Sequence, residues 1–508
     1  MNRPKPSRVV PTAMRSRLRA AVARLRGALS RAGSATADGL DRAGVIDRDR
    51  LGETLDLAWP RVVTGFAIMS KNTVDLAVVG IALGAPSVAG MAFAFAYWQL
   101  AKFVSIGLAG GTVSLVSQNY GGGESDRAAL VVKGSLVVAL ALVVPIVVGF
   151  VAFAEPLIAL VGGEGTALRA GTVYLAVTAP ALAFEFFNMI ASRTYAGVGD
   201  TFTPMVVRAG GALLNVVLTV WLVLGVGLGV LGAGLGTALS IVAVGVALSW
   251  GMTGRSYFGR GASPVPIRRA GPWIDAGLLR QLLRVSAPLI GRRVAEGVAV
   301  FPLLWVASSF GDATVAALEV GRRVRALLGS FSWGFSIAAS TLVGQRLGAG
   351  KESLATEYAR DVIRLSAVVY VLASAVFLAA DPIAGVFVDD PAAVAATARF
   401  VVVAAVSAIP LGIGGSVTGS LRGAGDTRWP FVASMIGSYV VAIPVALLGL
   451  VTPLGVGGLY AAVIVEKLVP TGLNLARFRS NRWQAVSRQY RPDAADDDTS
   501  VDEEPSTD

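Results

Sequence analysis

The sequence predicts an all-α polytopic membrane protein, with twelve transmembrane helices in two six-helix lobes related by a pseudo-two-fold axis along the membrane normal. Three observations carry that expectation. The 508 residues are 54% hydrophobic and only 15% charged, against about 25% charged in a typical soluble domain. Apolar runs long enough to cross a hydrocarbon core of about 30 Å recur along almost the whole chain. The chain also repeats itself: GVGDTFTP at 197–204 returns as GAGDTRWP at 423–430.

The runs read as helices. Outer-membrane strands alternate with period two, whereas SLVVALALVVPIVVGFVAF (135–153) is apolar on every face. A helix satisfies its own backbone hydrogen bonds in lipid. Twelve such segments fall near 57–83, 88–118, 128–153, 168–195, 203–225, 230–251, 283–309, 314–345, 357–379, 393–420, 430–450 and 455–475. They divide the chain into a basic N-terminal segment (1–50), a first lobe (51–254), a linker (255–282), a second lobe (283–480) and an acidic tail (481–508). The N-terminal segment, rich in Arg, Ala and Ser, is expected to form a basic amphipathic helix on the membrane surface. It lacks the long apolar core of a cleavable signal, so no removal is expected. The tail DAADDDTSVDEEPSTD lacks hydrophobic anchors and is expected to be disordered.

Neither Cys nor His occurs. That excludes disulfides, thiolate nucleophiles and the usual zinc sites, and with them intramembrane metalloproteases and histidine-dependent acyltransferases. No enzyme chemistry is expected. The net charge of +11 does not imply nucleic acid, because the arginines sit in the tails and in alternate connections. Arg127, Arg208, Lys351 and Arg428 mark one set, joined by six arginines of the 252–284 linker, while ALGAPS, GLGVLG and ADPIAGVFVDDPAA carry no basic residue. By the positive-inside rule both termini face the cytoplasm of a cell-membrane protein.

The duplication has further landmarks. SQNYGGGESDRA (117–128) is echoed by GQRLGAGKESLA (344–355), placing Gln118 and Gln345 227 residues apart. Pro60 pairs with Pro288, and GLGVLGAG pairs loosely with LGVGGLYA. Six helices per copy is an even number, so both copies lie the same way up, and two such lobes flank a cavity at the midplane. The octets then fall before the fifth helix of each lobe. Gly199 and Gly425 supply tight turns, Asp200, Thr201, Asp426 and Thr427 supply caps, and Pro204 and Pro430 fit first helical turns. A direct ligand role for the octets is the other reading. Phosphate-binding readings fail: in LGAGKES, Glu352 follows Lys351 where Ser or Thr belongs, and GLGVLG joins two membrane spans.

Twelve segments, the paired GxGDTxxP turns that follow Arg193 and Arg422, and the paired Q-x-x-G-x-G turns resemble the multidrug and toxic compound extrusion (MATE) family of prokaryotic type. Pro60 followed fifteen residues later by Asp75 is also similar to that family. The resemblance covers about residues 50–480. It implies a monomeric antiporter that exports organic, often cationic, compounds through the bilayer in exchange for Na⁺ or H⁺, with no other cofactor. Lipid flippases of the same superfamily share the lobed fold.

Charges inside the spans point to the mechanism. An acid at bilayer depth is costly and is a functional candidate by default. Asp75 shares a helix face with Lys71 one turn earlier, so an ion pair and a coupling role are both open. Its counterpart by duplication is about Leu303, which gives the acid to one lobe only. Pro60 lets that helix bend. The family's cation site also uses polar side chains on the fourth to sixth helices, and its fifth helix typically reads NxxLDPLL. Here Asn215 matches, but Thr219 stands in the place of the acid. Asp75, Asn188, Asn215, Thr219 and Thr237 offer the oxygens that a hard cation such as Na⁺ prefers. Ordinary helix–helix contacts are the alternative for Asn188, Thr219 and Thr237.

In the second lobe Glu296 lies eight residues after Pro288, the spacing of one MATE branch, but the partner acid on the tenth helix of that branch is absent. Arg292 precedes Glu296 by one turn, leaving an ion pair and a substrate contact both open. Glu319 near Arg322 and Arg323, and Glu466 beside Lys467, read as paired charges. Glu185 is a lone fourth-helix acid without an assignment. A flippase for a lipid-linked substrate would want a more basic cavity to hold phosphate, and the isolated Lys71, Lys102 and Arg292 keep that alternative open. A channel or membrane enzyme has no filter-like repeat or carboxylate pair behind it.

Overall fold

The long apolar segments form helices that extend past their apolar stretches, because polar flanking residues continue the turn without having to be buried. The structure, a computed structural model, describes residues 37–257, 259, 261–268, 270–385 and 391–490. The expected N-terminal amphipathic helix therefore lies outside the described residues except for its last stretch. Of the described residues, those up to Glu53 fall in one compact unit and those from Thr54 onward in another. Within the first, Arg48 pairs with Asp38 at 2.9 Å.

The first lobe contains α1 (Arg48–Leu83), α2 (Ala85–Gly121), α3 (Ser125–Ala152), a bent α4 (Gly165–Thr178 and Ala181–Gly197), α5 (Phe202–Val220, continued by a π-helical turn Trp221–Gly225) and α6 (Gly229–Met252). The second contains α7 (Ala276–Val298 and Val300–Ser308), α8 (Asp312–Gly348), α9 (Glu352–Val376), α10 (Pro391–Gly423), α11 (Arg428–Val451, π-helical over Ile436–Ala442) and α12 (Gly457–Arg479). Nine of these are individually long and apolar enough to span a bilayer, and the two halves of α4, meeting at 54°, make a tenth. The remaining two are α7 and α9. α7 carries Arg280, Arg284, Arg292, Arg293 and Glu296, and the first half of α9 carries Glu352, Glu357, Arg360, Asp361 and Arg364. Their charges hide the spans from a hydropathy test, but both helices occupy their places in the bundle. All described regular structure is helical.

Two boundaries differ from the sequence expectation. α7 starts at Ala276, inside the expected linker, because the Asp275 carboxylate caps it by accepting from the Leu278 N–H at 2.7 Å. The tail expected to be disordered from 481 instead begins with a helix, Arg482–Arg488. Trp483, fully buried and stacked on Phe478, and Tyr490, nearly buried, provide the anchors that fix it. Residues 491–508 lie outside the described part.

The duplication is visible in the backbone. Glycines with positive φ recur at the constant offset: Gly84 and Gly311, Gly123 and Gly350, Gly199 and Gly425, Gly229 and Gly455. The lobes meet along α1, α2, α7 and α8, and the contacts come in related pairs. A Cβ on Gly121 would strike the Gln345 carbonyl, and one on Gly348 would strike the Gln118 carbonyl. Ser114 Oγ donates to Arg422 O at 2.6 Å, and Thr341 Oγ1 donates to Ala196 O at 3.0 Å. Equivalent ends of α2 and α8 thus lie side by side. An inverted repeat would set opposite ends together, so both lobes have the same orientation.

Candidate functional site: a buried carboxylate beside a cavity between the lobes

The octets are best understood from the prolines. Pro60 interrupts the α1 hydrogen-bond ladder without breaking the helix: it has no N–H for the carbonyl of Asp56, four residues earlier. The Thr201 hydroxyl reaches that carbonyl at 3.1 Å and the next one, Leu57 O, at 3.0 Å. In the second lobe Thr427 donates to Val285 O at 2.8 Å, just before Pro288. Each octet thus fastens the start of its fifth helix to the proline turn of the first. Gly199 (φ +96°) and Gly425 (φ +80°) adopt backbone that L side chains rarely reach. The two aspartates part company. Asp200 accepts from the Thr203 N–H at 2.9 Å, whereas the buried Asp426 pairs with Arg477 at 2.7 Å. Pro204 and Pro430 are buried in the first turns of α5 and α11.

Asp75, fully buried, sits in the first lobe where α1, α5 and α6 meet. Thr219 donates to Oδ1 at 2.9 Å and Thr237 to Oδ2 at 3.4 Å. The Asn215 amide, oriented so that both its ends are satisfied, donates to the two carboxylate oxygens at 2.9 and 3.2 Å and accepts from the Thr237 N–H at 3.1 Å. Lys71 Nζ lies 3.7 Å from Oδ2, and Tyr174 shares a hydrogen bond of 3.3 Å with Thr237. Four of the five residues expected in the cation site therefore come together. Asn188 does not: past the α4 bend it faces α6, where its amide donates to Ile241 O at 3.1 Å and its Oδ1 is buried without a partner. Tyr174 was missed, since nothing in its sequence surroundings marks it.

A pocket of about 100 Å³ connects this cluster, through Lys71, Lys102, Asn188 and Thr237, with the Glu185–Arg208 pair, 3.0 Å apart. The acid without an assignment thus has a buried partner. Beyond it a cavity of about 610 Å³ lies between the lobes, lined mainly by α1, α2, α7, α8, α10 and α12, with Met189 of α4, Arg208 of α5 and Ser434 of α11. Glu296 lines it and is held by Arg292 (2.8 Å), Arg293 (3.3 Å) and Ser434 (3.3 Å). Glu466 also lines it, gripped by Arg325 (2.9 Å) and Lys467 (2.8 Å), and Glu319 pairs at 3.6 Å with Arg322. On α2 the cavity wall runs from Gln99 to Gly110, and the seam between the lobes closes from Ser114 onward.

The sequence model of the MatE family matches residues 60–221 and again 288–448, one match per lobe. The chain belongs to the MatE family. As a member it is a multi-pass membrane transporter and not an enzyme. Over 450 residues it is 28% identical to a probable multidrug resistance protein NorM of Bradyrhizobium diazoefficiens, covering 85% of this chain and 93% of that one. It is 27% identical to the multidrug resistance protein PmpM of Pseudomonas aeruginosa, covering 83% and 90%. Among solved structures, a MATE protein in its bent conformation superposes with TM-score 0.79 at 20% identity, covering 87% of this chain and 97% of that one. A transporter of the MOP superfamily from Pyrococcus furiosus, described as having a binding pocket of reversed polarity, superposes at 0.78 and 21%, covering 85% and 96%. These structural likenesses concern the fold.

Proposed function

We propose that the protein is a secondary active exporter of organic compounds, driven by a cation that enters through the first lobe and binds at Asp75. The observation that carries this reading is the carboxylate of Asp75, buried in one lobe only and linked through a small pocket, by way of Lys71 and Thr237, toward the cavity that both lobes line. A coupling ion must bias the protein between two conformations, so it needs a group whose occupancy changes local bonding. Asp75 meets that need, because its partners reach helices α1, α5 and α6 at once. Relatives named as multidrug resistance proteins support the exporter assignment.

The coupling ion that these contacts fit best is a proton. Thr219, Asn215 and Lys71 already fill the carboxylate with donors, and the Lys71 ammonium takes the place a Na⁺ would occupy. A proton on Asp75 removes the attraction to Lys71 and frees that side chain toward the pocket. The pattern of Lys and Arg puts both termini and the octet end of the bundle on the cytoplasmic side of the plasma membrane. The seam is closed at that end, so the cavity faces outward, as one half of an alternating-access cycle. The test is dye efflux from reconstituted liposomes with H⁺ and Na⁺ gradients imposed separately. Efflux that ignores both gradients would sink the exporter reading, and a response to Na⁺ alone would replace the proton.

A further inference from the structure

The central cavity is strongly basic. Nine Arg and Lys side chains line it against two carboxylates, Glu296 and Glu466. Counting Glu185 and Glu319 as well, which pair with lining arginines, still leaves five positive charges without an acid. The surplus is structural as well as arithmetical. Each lining glutamate is shared by two cations, so each of those trios carries a net positive charge.

The rest of the surplus, Arg61, Lys102 and Arg422, makes no ion pair among the described residues, and Arg208 keeps unused donors beside its one acid. Among the described residues the Arg422 guanidinium bonds to Ser336 and Ser340 alone. Arg61 lies over the Trp333 ring at 5.1 Å, with a buried Nε that has no hydrogen-bond partner. Arg208, only 8% exposed, spends Nη2 on Glu185 and leaves Nε and Nη1 without partners. Lys102 meets no carboxylate among the described residues.

Uncompensated cations at bilayer depth are expensive and are retained where a ligand completes them. Guanidinium groups match the oxygens of phosphate, sulfonate and carboxylate in paired hydrogen bonds. The duplication does not require these charges. At the offsets of 227 and 228, Lys102 corresponds to Gly329 and Arg61 to Leu289 of the second lobe. The walls between the cations are apolar, with Ile68, Met69, Met189, Leu289 and Leu411 beside Trp333, and the volume is that of a ligand pocket.

We propose that this cavity takes organic anions, namely amphiphiles that present a phosphate, sulfonate or carboxylate to the cationic wall and an apolar body to Trp333. The inference rests on the exporter reading for its direction of transport, but not for the binding itself. It departs from the cationic compounds that the family resemblance implies. The same chemistry is available from a soluble organic anion or from a phosphate-bearing lipid that enters from the bilayer.

Binding is measured at equilibrium, without any gradient, on the full chain in phosphatidylcholine nanodiscs. The probes are sulforhodamine B, a sulfonate, and rhodamine 6G, a cation on the same ring system. The sulfonate is expected to bind at least ten-fold more tightly, and Lys102→Gln and Arg61→Gln each to weaken it several-fold. Lys102 has no structural partner to lose, so its variant keeps the test open if Arg61→Gln misfolds. Equal or tighter binding of rhodamine 6G, or unchanged sulfonate affinity in Lys102→Gln, overturns the inference. Phosphatidylglycerol added to the discs assigns the source: competition names a lipid, and its absence names a soluble anion. Anion-selective binding without gradient-driven flux would leave the inference standing and remove the exporter reading. Gradient-driven efflux of rhodamine 6G without sulfonate binding would do the reverse.

Discussion

Gln118 and Gln345 make the same hydrogen bond from opposite lobes: Gln118 Nε2 donates to Gly423 O at 2.8 Å, and Gln345 Nε2 donates to Gly197 O at 2.9 Å. Each glutamine belongs to one lobe and each acceptor to the other. The pair therefore exists only while the seam at the octet end is closed, and it is lost when the lobes part there.

Replacing either glutamine by Leu should favour separation at that end. A typical hydrogen bond contributes about 1 kcal/mol net, so each variant should shift the balance about five-fold, and the double variant about thirty-fold. Spin labels at exposed positions near the ends of α2 and α8 would report the distance. An unchanged distribution in the double variant would show that the seam is held by something else.

Asp75→Asn should abolish gradient-driven efflux while the protein still inserts. It should also lower thermal stability, because Lys71 keeps a charge that has lost its partner, and breaking a buried pair from one side costs about 3–5 kcal/mol. Lys71 is partly exposed, which places the expected loss at the lower end. Adding Lys71→Met should restore much of the melting temperature but none of the transport. Wild-type efflux by Asp75→Asn would move the coupling site, with Glu296 the next position to test.

The two octet aspartates should respond differently to Asn. Asp200→Asn keeps an oxygen to accept the Thr203 N–H and should cost under about 0.5 kcal/mol. Asp426→Asn breaks a buried ion pair with Arg477 and should cost about 2 kcal/mol or more. Thermal melts of the two variants decide it. Equal melting temperatures would mean that the Arg477 contact contributes nothing.

Alanine at Gly199 or Gly425 should destabilise by about 1–3 kcal/mol through backbone strain alone. Gly425 should suffer more, because the Tyr490 ring lies against it. Gly210, on helical backbone in α5 with open space around it, is the control, where alanine should stabilise by up to about 1 kcal/mol. A melt of Gly425→Ala equal to wild type would show that the turn can rearrange.

Much of the fold was legible because duplication writes itself twice. The offset of 226–228 residues located Gln118 with Gln345 and Thr201 with Thr427, and the even number of helices fixed the relative orientation of the lobes. Asp75 stood out as an acid at bilayer depth, and the family resemblance pointed to Asn215, Thr219 and Thr237, which the structure brings to its side. What stayed hidden required three dimensions. Arg208 answers Glu185 from the next helix, at a separation that no helical period marks. Beyond Lys102 and Arg292, the charge of the cavity was hidden for the same reason. Arg61, Arg325, Arg422 and Lys467 are scattered over four helices, and in a list of residues each looks like an ordinary flanking cation. The role of the octet threonines depended on knowing that they reach the proline turns of α1 and α7.

The short helix Arg482–Arg488 changes what closing the seam involves. Ser487 donates to Gln118 Oε1 at 3.2 Å, so one amide side chain is held at its nitrogen by the second lobe and at its oxygen by the chain's own end. Arg488 grips Glu352 at 2.7 Å at the start of α9, and Tyr490 covers the turn at Gly425. The end of the chain is therefore a bolt across the door between the lobes, and the door cannot open at that end until the bolt is drawn. Opening there has to break the Ser487 contact to Gln118 as well as the glutamine bonds between the lobes.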